Sequence, residues 1–350
     1  MKRPTIADIA QRAGVTKAAV SFALNGQPGV SAATRERILA IAAELGFQPN
    51  SAARALTAGR AEAIGLVIDR PARTLGIEPY FMQLISGIQA ELSRHHVTLL
   101  FAMAEDVGAE IEMYRRWWAQ RRVDGVILVD LQVNDSRIGV LEELHMPAVV
   151  VGTPRGAGSL PAVWQDDRAA VETVVSFLVG LGHQRIARVG GFAGYWHSAL
   201  RSAAFAEVAA AAGLEAVSVE GDYSATHGAE ATRGLLERTD PPTAIVYDND
   251  VMAAAGLGAA QRMGISVPPE VSIMSWDDSA LCELIHPALT ALRRDIVAAG
   301  AAAARMLHEL IAGGRPRNFQ EARPELMARE STGPATVPAI GVTRRGRLSA

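Results

Sequence analysis

Apolar positions along the chain follow two different periods. Up to residue 47 they recur every three or four residues, the signature of amphipathic helices. Ile6, Ile9, Ala10 and Ala13 line one face of a short helix that stops at Gly14, with Thr5 placed to cap its first turn. After the Gly14-Val15 turn, Thr16 caps a second helix with Ala19, Val20, Ala23 and Leu24 on its apolar side. Ser31 caps a third, predicted over Thr34 to Leu45, and Gly46 ends it. Ser51 to Leu56 is Ala-rich, carries Arg54 and has almost nothing to bury. Isolated helices below ~12 residues are marginal in water, so this segment is expected to fold only against a partner.

From residue 61 the pattern changes. Ala63 to Ile68 is a continuous apolar run of the kind buried in parallel sheets. Strands then alternate with helices. Strands are predicted at 97–101, 125–129 and 148–151, with helices at 81–94, 109–120 and 136–144. The order begins again with helices at 168–181, 200–212, 228–236 and 251–263 and strands at 186–189, 217–219, 244–247 and 271–274. Alternation of this kind gives a doubly wound, mostly parallel sheet. Two such lobes in series imply a cleft between them, where small ligands bind.

The first two helices, joined by a tight Gly turn, form a helix-turn-helix. The second leaves Lys17, Ala18, Ser21 and Phe22 facing outward, in position to enter a major groove. The run Thr5-Ile6-Ala7-Asp8-Ile9-Ala10, followed by Ala13-Gly14-Val15-Thr16, Val20-Ser21, Leu24-Asn25-Gly26, Val30-Ser31, Leu45-Gly46-Phe47 and Pro49-Asn50, closely resembles the headpiece of the lactose-repressor (LacI/GalR) family of transcription regulators. Ala53-Arg54-Ala55-Leu56 resembles that family's hinge helix. The body is similar to the family's sensor, whose fold is shared with periplasmic sugar-binding proteins. Matching pieces include Gly182-His183, Arg201 with Phe205, Asn249-Asp250, Gly264 to Pro268, Asp277-Asp278, Pro287 to Thr290 and Arg329 to Thr332.

The resemblance covers residues 5 to 332. It implies an all-α helix-turn-helix headpiece (1–48), a hinge helix and linker (49–60), and an α/β effector-binding and dimerisation domain (61–332) of two doubly wound parallel-sheet lobes. The N-lobe would take about 61–161 and 293–322, and the C-lobe about 162–292 and 323–332. Residues 333–350, with their Arg344-Arg345-Gly346-Arg347 cluster, read as a disordered tail.

Charge sharpens this division. The chain of 350 residues has a formal net charge of −3. Residues 1–60 hold 8 Lys and Arg against 3 Asp and Glu, net +5, which leaves 26 against 34, net −8, for the rest. Opposite signs in the two parts suit a nucleic-acid module on an acidic sensor. A single cysteine, Cys282, excludes an intrachain disulfide and any Cys-based zinc site. The N-terminus lacks an apolar h-region and no stretch reaches about 18 apolar residues. A cytoplasmic protein is expected.

Signals for catalysis do not hold up. Cys282 and His286 lie four residues apart without a helix or strained turn to join them as nucleophile and base. Asp248-Asn249-Asp250 opens like a calcium loop but lacks the later Gly and bidentate Glu. Gly256-Leu257-Gly258 sits in a helix and has Gln261 where a dinucleotide fingerprint needs Gly. The chain is expected to be neither an enzyme nor the holder of a cofactor or metal.

What remains is a set of polar and aromatic residues near strand ends: Asp69, Tyr80, Phe81, Trp164, Asp166, Arg201, Asn249, Asp250, Trp276 and Asp277. The resemblance implies effector contacts at Phe81, Asp166, Arg201, Asn249 or Asp250, and Asp277. Asp250 also reads as a helix cap, Trp164 and Trp276 also read as core, and Asp69 as an ordinary loop residue. Carboxylates and Arg beside flat apolar faces suit a polyhydroxylated ligand, so a sugar or sugar derivative is the favoured effector. A nucleoside- or purine-responsive regulator is the alternative, and a solute-binding protein for transport is the rival without DNA.

By resemblance, Thr5, Thr16, Ser21, Asn25, Ser31 and Asn50 bond phosphates, with Arg54 on the hinge helix, while Lys17, Ala18 and Phe22 face base edges. Ala18 and Phe22 depart from the family's usual larger polar residues and Arg. Leu56 matches the leucine that wedges into the minor groove at the operator centre. Two headpieces reading a pseudo-palindromic operator imply a homodimer, with a tetramer open, and effector in the cleft would act as an allosteric signal.

Overall fold

The computed structural model describes residues 4–47, 60–70 and 76–335, and the chain divides into two compact units, Met1–Glu62 and Ala63–Ala350. Among the described residues no helix is long and apolar enough to cross a membrane.

Among the described residues the first unit holds three helices: α1 (Ile6–Ala13), α2 (Lys17–Leu24) and α3 (Ala32–Glu44). Each starts where a hydroxyl side chain satisfies an orphan backbone amide. Thr5 accepts from the Asp8 amide while the Asp8 carboxylate accepts from the Thr5 amide at 2.7 Å, a reciprocal capping box. Thr16 accepts from the Ala19 amide at 3.1 Å and Ser31 from the Thr34 amide at 3.3 Å. Gly14, at φ +63°, turns the chain between α1 and α2. The helices bury Ile9, Ala10, Ala13, Val20, Ala23, Ile38 and Ala42 against one another. α3 starts two residues before the expected Thr34, because its first turn follows directly on the Ser31 cap.

The second unit is built on two six-stranded sheets. In chain order the first lobe receives β1 (Ala63–Ile68), α4 (Pro79–Arg94), β2 (Thr98–Met103), α5 (Val107–Ala119), β3 (Gly125–Leu128), α6 (Ser136–Glu143), β4 (Ala148–Val151) and β5 (Ala162–Trp164). The second receives α7 (Asp167–Gly180), β6 (Arg185–Val189), α8 (Trp196–Ala211), β7 (Glu215–Val219), α9 (Ala225–Leu236), β8 (Ala244–Tyr247), α10 (Asp250–Arg262), β9 (Ser272–Ser275), α11 (Ala280–Leu284) and β10 (Thr290–Arg293). The chain returns to the first lobe with α12 (Ile296–Ile311) and β11 (Phe319–Gln320), then ends in the second with β12 (Glu325–Met327).

Strand order is β11-β5-β4-β3-β1-β2 in one sheet and β12-β10-β9-β8-β6-β7 in the other. All pairings are parallel except β12 on β10. The central strands are buried on both faces, as their continuous Val, Ile and Ala runs require.

Three expectations need correction. β5 pairs with β4, Val150 opposite Ala162, so 162–164 belong to the first lobe and the C-lobe starts after Trp164 rather than at 162. Residues 333–335 are held rather than loose, with the Gly333 amide on Ser272 Oγ at 3.1 Å and the Ala335 amide on the Leu181 carbonyl at 2.8 Å. The rest of the expected tail lies outside the described residues. Cys282 sits on a helix after all, α11, where burial pushes its thiol up to about 12 and its Sγ faces the Asp277 carbonyl at 3.4 Å.

Candidate functional site

Parallel strands end on a common side, so the residues just beyond β1, β3, β4, β8 and β9 converge between the lobes. They enclose a cavity of about 70 Å³ lined by side chains of both lobes. From the first lobe come Arg70, Glu78, Tyr80, Phe81, Asp130 and Glu321, from the second Asp167, His197, Arg201, Tyr223, Asp248 and Asp277, and from the crossings between them Gln165 and Arg294.

Three arginines organise the charges. Arg70 grips Asp130 in a two-pronged pair at 2.8 and 3.1 Å. Its guanidinium lies 4.7 Å from the ring centre of Tyr195 and 4.6 Å from that of Tyr223, so a first-lobe cation rests between second-lobe aromatics. Arg201 donates to Asp167 at 2.8 Å and lies 4.5 Å over the Trp276 ring. Arg294 donates to Glu321 at 3.2 Å and stands 3.9 Å from Asp277, too far for a hydrogen bond.

Burial governs the remaining carboxyls. Loss of solvent pushes Glu78 up to about 7, with Arg70 drawing it back, and pushes Asp277 up to about 6 against Arg294. Burial also raises Asp130, but Arg70 outweighs it and holds that carboxyl below its ordinary value. His197 is pushed down to about 4 by burial and then by Arg201, so it is neutral near pH 7. Its Nε2 meets the Tyr223 hydroxyl at 2.6 Å.

Several buried polar atoms around the cavity make no hydrogen bond within the protein: Glu78 Oε2, both Gln165 amide atoms, Asp277 Oδ1 and Arg294 Nε. Burying such atoms unmatched costs about 1–3 kcal/mol each. They converge on one cavity, and a ligand with several hydroxyls can satisfy them.

Of the residues foreseen from sequence, Tyr80, Phe81, Arg201 and Asp277 line this cavity. The other six do not. Asp69 is displaced by its neighbour Arg70. Trp164 is part of β5 and registers with Gln320 at the sheet edge. Asp166 caps α7 by accepting from the Ala169 amide at 3.0 Å, and the next residue, Asp167, faces the ligand space. Asn249, rather than Asp250, caps α10, accepting from the Met252 amide at 2.8 Å. Its amide nitrogen supports the wall from behind, donating to Glu78 at 3.4 Å and to the Tyr223 carbonyl at 3.2 Å. Asp250 is buried one position into α10, where burial raises its carboxyl and Ser279 opposes the rise. Trp276 is buried beneath Arg201 as core.

The missed residues lie one or two positions from those chosen, as Arg70 does from Asp69 and Asp167 from Asp166. Others, such as Asp130, His197 and Tyr223, follow strands whose ends carried no distinguishing signal.

On the first unit, Lys17 and Ala18 are exposed, Ser21 is half-buried, and Phe22 is 41% exposed although it is a large apolar side chain. A Cβ at Gly29, which has φ +114°, would meet the Phe22 ring at 3.3 Å, so the ring lies over that glycine. Ser31 donates to Thr34 Oγ1 at 2.9 Å, and Asn25 reaches Ser21 Oγ at 3.4 Å. Asn50, Arg54 and Leu56 lie outside the described residues.

Comparison with known proteins supplies the next step. Residues 5–50 match the family described as bacterial regulatory proteins, lacI family, and residues 175–332 match the periplasmic binding protein-like domain. The HTH-type transcriptional regulator CelR of Thermobifida fusca is 31% identical over 317 residues, 89% of this chain and 93% of that protein. The chain belongs to the LacI family. It is therefore a DNA-binding transcriptional regulator and not an enzyme. A Lac repressor dimer bound to operator and the anti-inducer ONPF superposes with a TM-score of 0.85 at 26% identity, over 95% of this chain and 100% of that one. A CelR–cellobiose complex superposes with a TM-score of 0.72 at 30% identity, over 94% and 100%. Regulators of this family bind operator DNA and small-molecule effectors.

Proposed function

We propose that this LacI-family regulator controls its operator affinity through a neutral sugar or sugar derivative held in the cleft between the lobes. The observation that carries this reading is the group of buried polar atoms without a hydrogen bond, Glu78 Oε2, the Gln165 amide, Asp277 Oδ1 and Arg294 Nε, around one cavity. Sugar hydroxyls both donate and accept, so one ring can satisfy carboxylates, amide and guanidinium together. Phe81 and Tyr80 supply the apolar flank that a sugar's C–H face requires. Arg201 and Asp277 orient the ligand, with Trp276 beneath Arg201, while Asn249 holds Glu78 and the Tyr223 carbonyl from behind. The solved CelR–cellobiose complex supports the same ligand class.

At the DNA, Lys17, Ala18 and Phe22 face base edges, while Thr5, Thr16, Ser21, Asn25, Ser31 and Asn50 bond phosphates. Arg54 contacts DNA from the hinge segment, and Leu56 wedges into the minor groove. The working unit is a homodimer on a pseudo-palindromic operator.

The test uses full-length protein and a DNA site obtained by selection in vitro. Affinity is titrated with glucose, galactose, cellobiose and maltose, and separately with adenosine and guanosine. At least one sugar is expected to change DNA affinity about tenfold, within the usual coupling of ~1–3 kcal/mol. Gln165→Ala should abolish the response while leaving ligand-free DNA binding intact. A response to nucleosides alone would overturn the sugar assignment.

A further inference from the structure

The turn that follows α2 is tied to both helices that flank it. α2 gives way at Asn25, and Gly26 takes the left-handed conformation at φ +69°. The Gly26 amide bonds the Ala23 carbonyl at 3.4 Å, and the Gln27 amide reaches back to the Phe22 carbonyl at 2.9 Å. This double return is a Schellman cap, and it makes Phe22 the residue whose carbonyl anchors the turn. Pro28 cannot prolong the helix, so the chain comes back along its end.

Two features then act on the Phe22 ring. Gly29 stands at φ +114°, where residues with a side chain are strained, and an added Cβ would lie 3.3 Å from Phe22 Cδ2 and 3.6 Å from Cε2. The ring rests on bare backbone. The second feature is Arg35, which reaches over from α3. Its guanidinium donates to the Gln27 carbonyl, while its own amide is fixed on the Ser31 carbonyl at 2.9 Å, in the first turn of α3. Gln27 is thus held through its amide by α2 and through its carbonyl by α3.

The setting of Arg35 differs from that of the other cations on this unit. Lys17 and Arg37 are exposed, and Arg12 meets Glu44 at 2.8 Å on the surface. Arg35 is half-buried, and its Nε is buried without a hydrogen bond. A guanidinium with one arm on a backbone carbonyl and Nε out of solvent is aimed at the turn. The position of the ring matters because Phe22 has only apolar contact to offer a base. A dispersion contact loses about a quarter to a half of its depth over a gap of ~0.5–1 Å. A loosened seat therefore costs discrimination.

We infer that Arg35 is a positioning residue for base reading: through the Gln27 carbonyl it fixes the turn that seats the Phe22 ring on Gly29. The inference rests on the reading of Phe22 as a base-facing residue.

The test uses full-length protein and a DNA site selected in vitro, with affinities measured for every single-base substitution of that site at several salt concentrations. Phe22→Ala first identifies the base pair that the ring contacts. At that pair Arg35→Met is expected to lose about fivefold or more in discrimination, while the other pairs stay within about twofold of wild type and the salt slope is unchanged. Arg35→Lys keeps a donor for the Gln27 carbonyl and should recover most of the loss. Gly29→Ala displaces the ring directly and leaves Arg35 in place, so it also serves should Arg35→Met fail to fold. It should lower discrimination at the same pair, and add nothing there in the Phe22→Ala background. A uniform loss at all pairs, with the salt slope smaller by about 0.9 for each contact removed, would make Arg35 a phosphate ligand and overturn the inference. So would undiminished discrimination at that pair in either Arg35→Met or Gly29→Ala. If Phe22→Ala itself changes no base preference, the base-facing reading falls and the positioning role falls with it.

Discussion

Glu78 couples the cleft to pH. Burial pushes its carboxyl from an ordinary 4.5 up to about 7, so between those values the folded chain keeps a proton that the unfolded chain has released. The associated stability is fully present below pH 4.5 and is lost as pH rises through 7, an amount of roughly 3 kcal/mol. Gln keeps the shape without the charge. Urea unfolding of the ligand-free protein should therefore find Glu78→Gln close to wild type at pH 5 and more stable by up to ~3 kcal/mol at pH 8. A difference that does not grow with pH would mean the carboxyl titrates normally. Phe22 poses the matching question on the DNA side. Its ring rests on Gly29 but stays 41% exposed, and it has no hydrogen-bonding group for a base edge. Apolar contact with a thymine methyl is what it can offer. Phe22→Ala should lower discrimination at one base-pair position by ~1–3 kcal/mol, read by binding to single-substitution operator variants. An unchanged base preference at every position would limit Phe22 to covering Gly29.

Helices α4 and α12 meet through glycines. A Cβ at Gly87 would lie 1.9 Å from the Val297 carbonyl oxygen, and one at Gly300 would lie 2.3 Å from that of Leu84. Both clashes are with backbone, which cannot swing aside as a side chain can. Gly300→Ala is expected to push the helices apart and lower the melting stability of the sensor by ~1–3 kcal/mol, despite the better helix propensity of Ala. A neutral or stabilising result would show that the pair can slide. The same helix marks a limit of reading by pattern. α12 is so rich in Ala, from Ala298 to Ala304, that its apolar positions show no contrast of period, and it was foreseen only as a return of the chain to the first lobe. The strands β1, β3, β4 and β8, by contrast, were legible as unbroken apolar runs because a parallel sheet buries both faces. The caps Thr5, Thr16 and Ser31 were legible for a local reason, since capping depends on residues within a single turn. Side chains in the cleft depend on which of two adjacent residues at a strand end points inward. Local chemistry does not distinguish Asp166 from Asp167, and only the sheet geometry assigns one to the helix cap and the other to Arg201.

At the scale of the whole sensor, the two lobes are joined at the mouth of the cleft as well as through their crossing segments. The Val133 amide bonds the Gly194 carbonyl and the Trp196 amide bonds the Leu131 carbonyl, each at 2.8 Å, in a short bridge from the loop after β3 to the start of α8. The Trp196 side chain completes it. Its indole packs into the outer core of the first lobe, with the Arg155 guanidinium 5.3 Å from the ring. It also sits so close over Gly156 that a Cβ there would come within 2.3 Å of Nε1. A second-lobe side chain wedged in the first lobe opposes separation of the two lobes. A ligand's apparent affinity falls in proportion to the closed fraction, so loosening the wedge weakens binding without touching the ligand. Cation–π contact and burial together are worth ~1–2 kcal/mol, or a factor on the order of ten. Trp196→Ala should therefore raise the effector Kd about tenfold. It should also enlarge the radius of gyration of the ligand-free protein in small-angle scattering, and saturating effector should restore it. A weaker Kd with no change in radius would place Trp196 in direct support of the ligand rather than in the closure of the lobes.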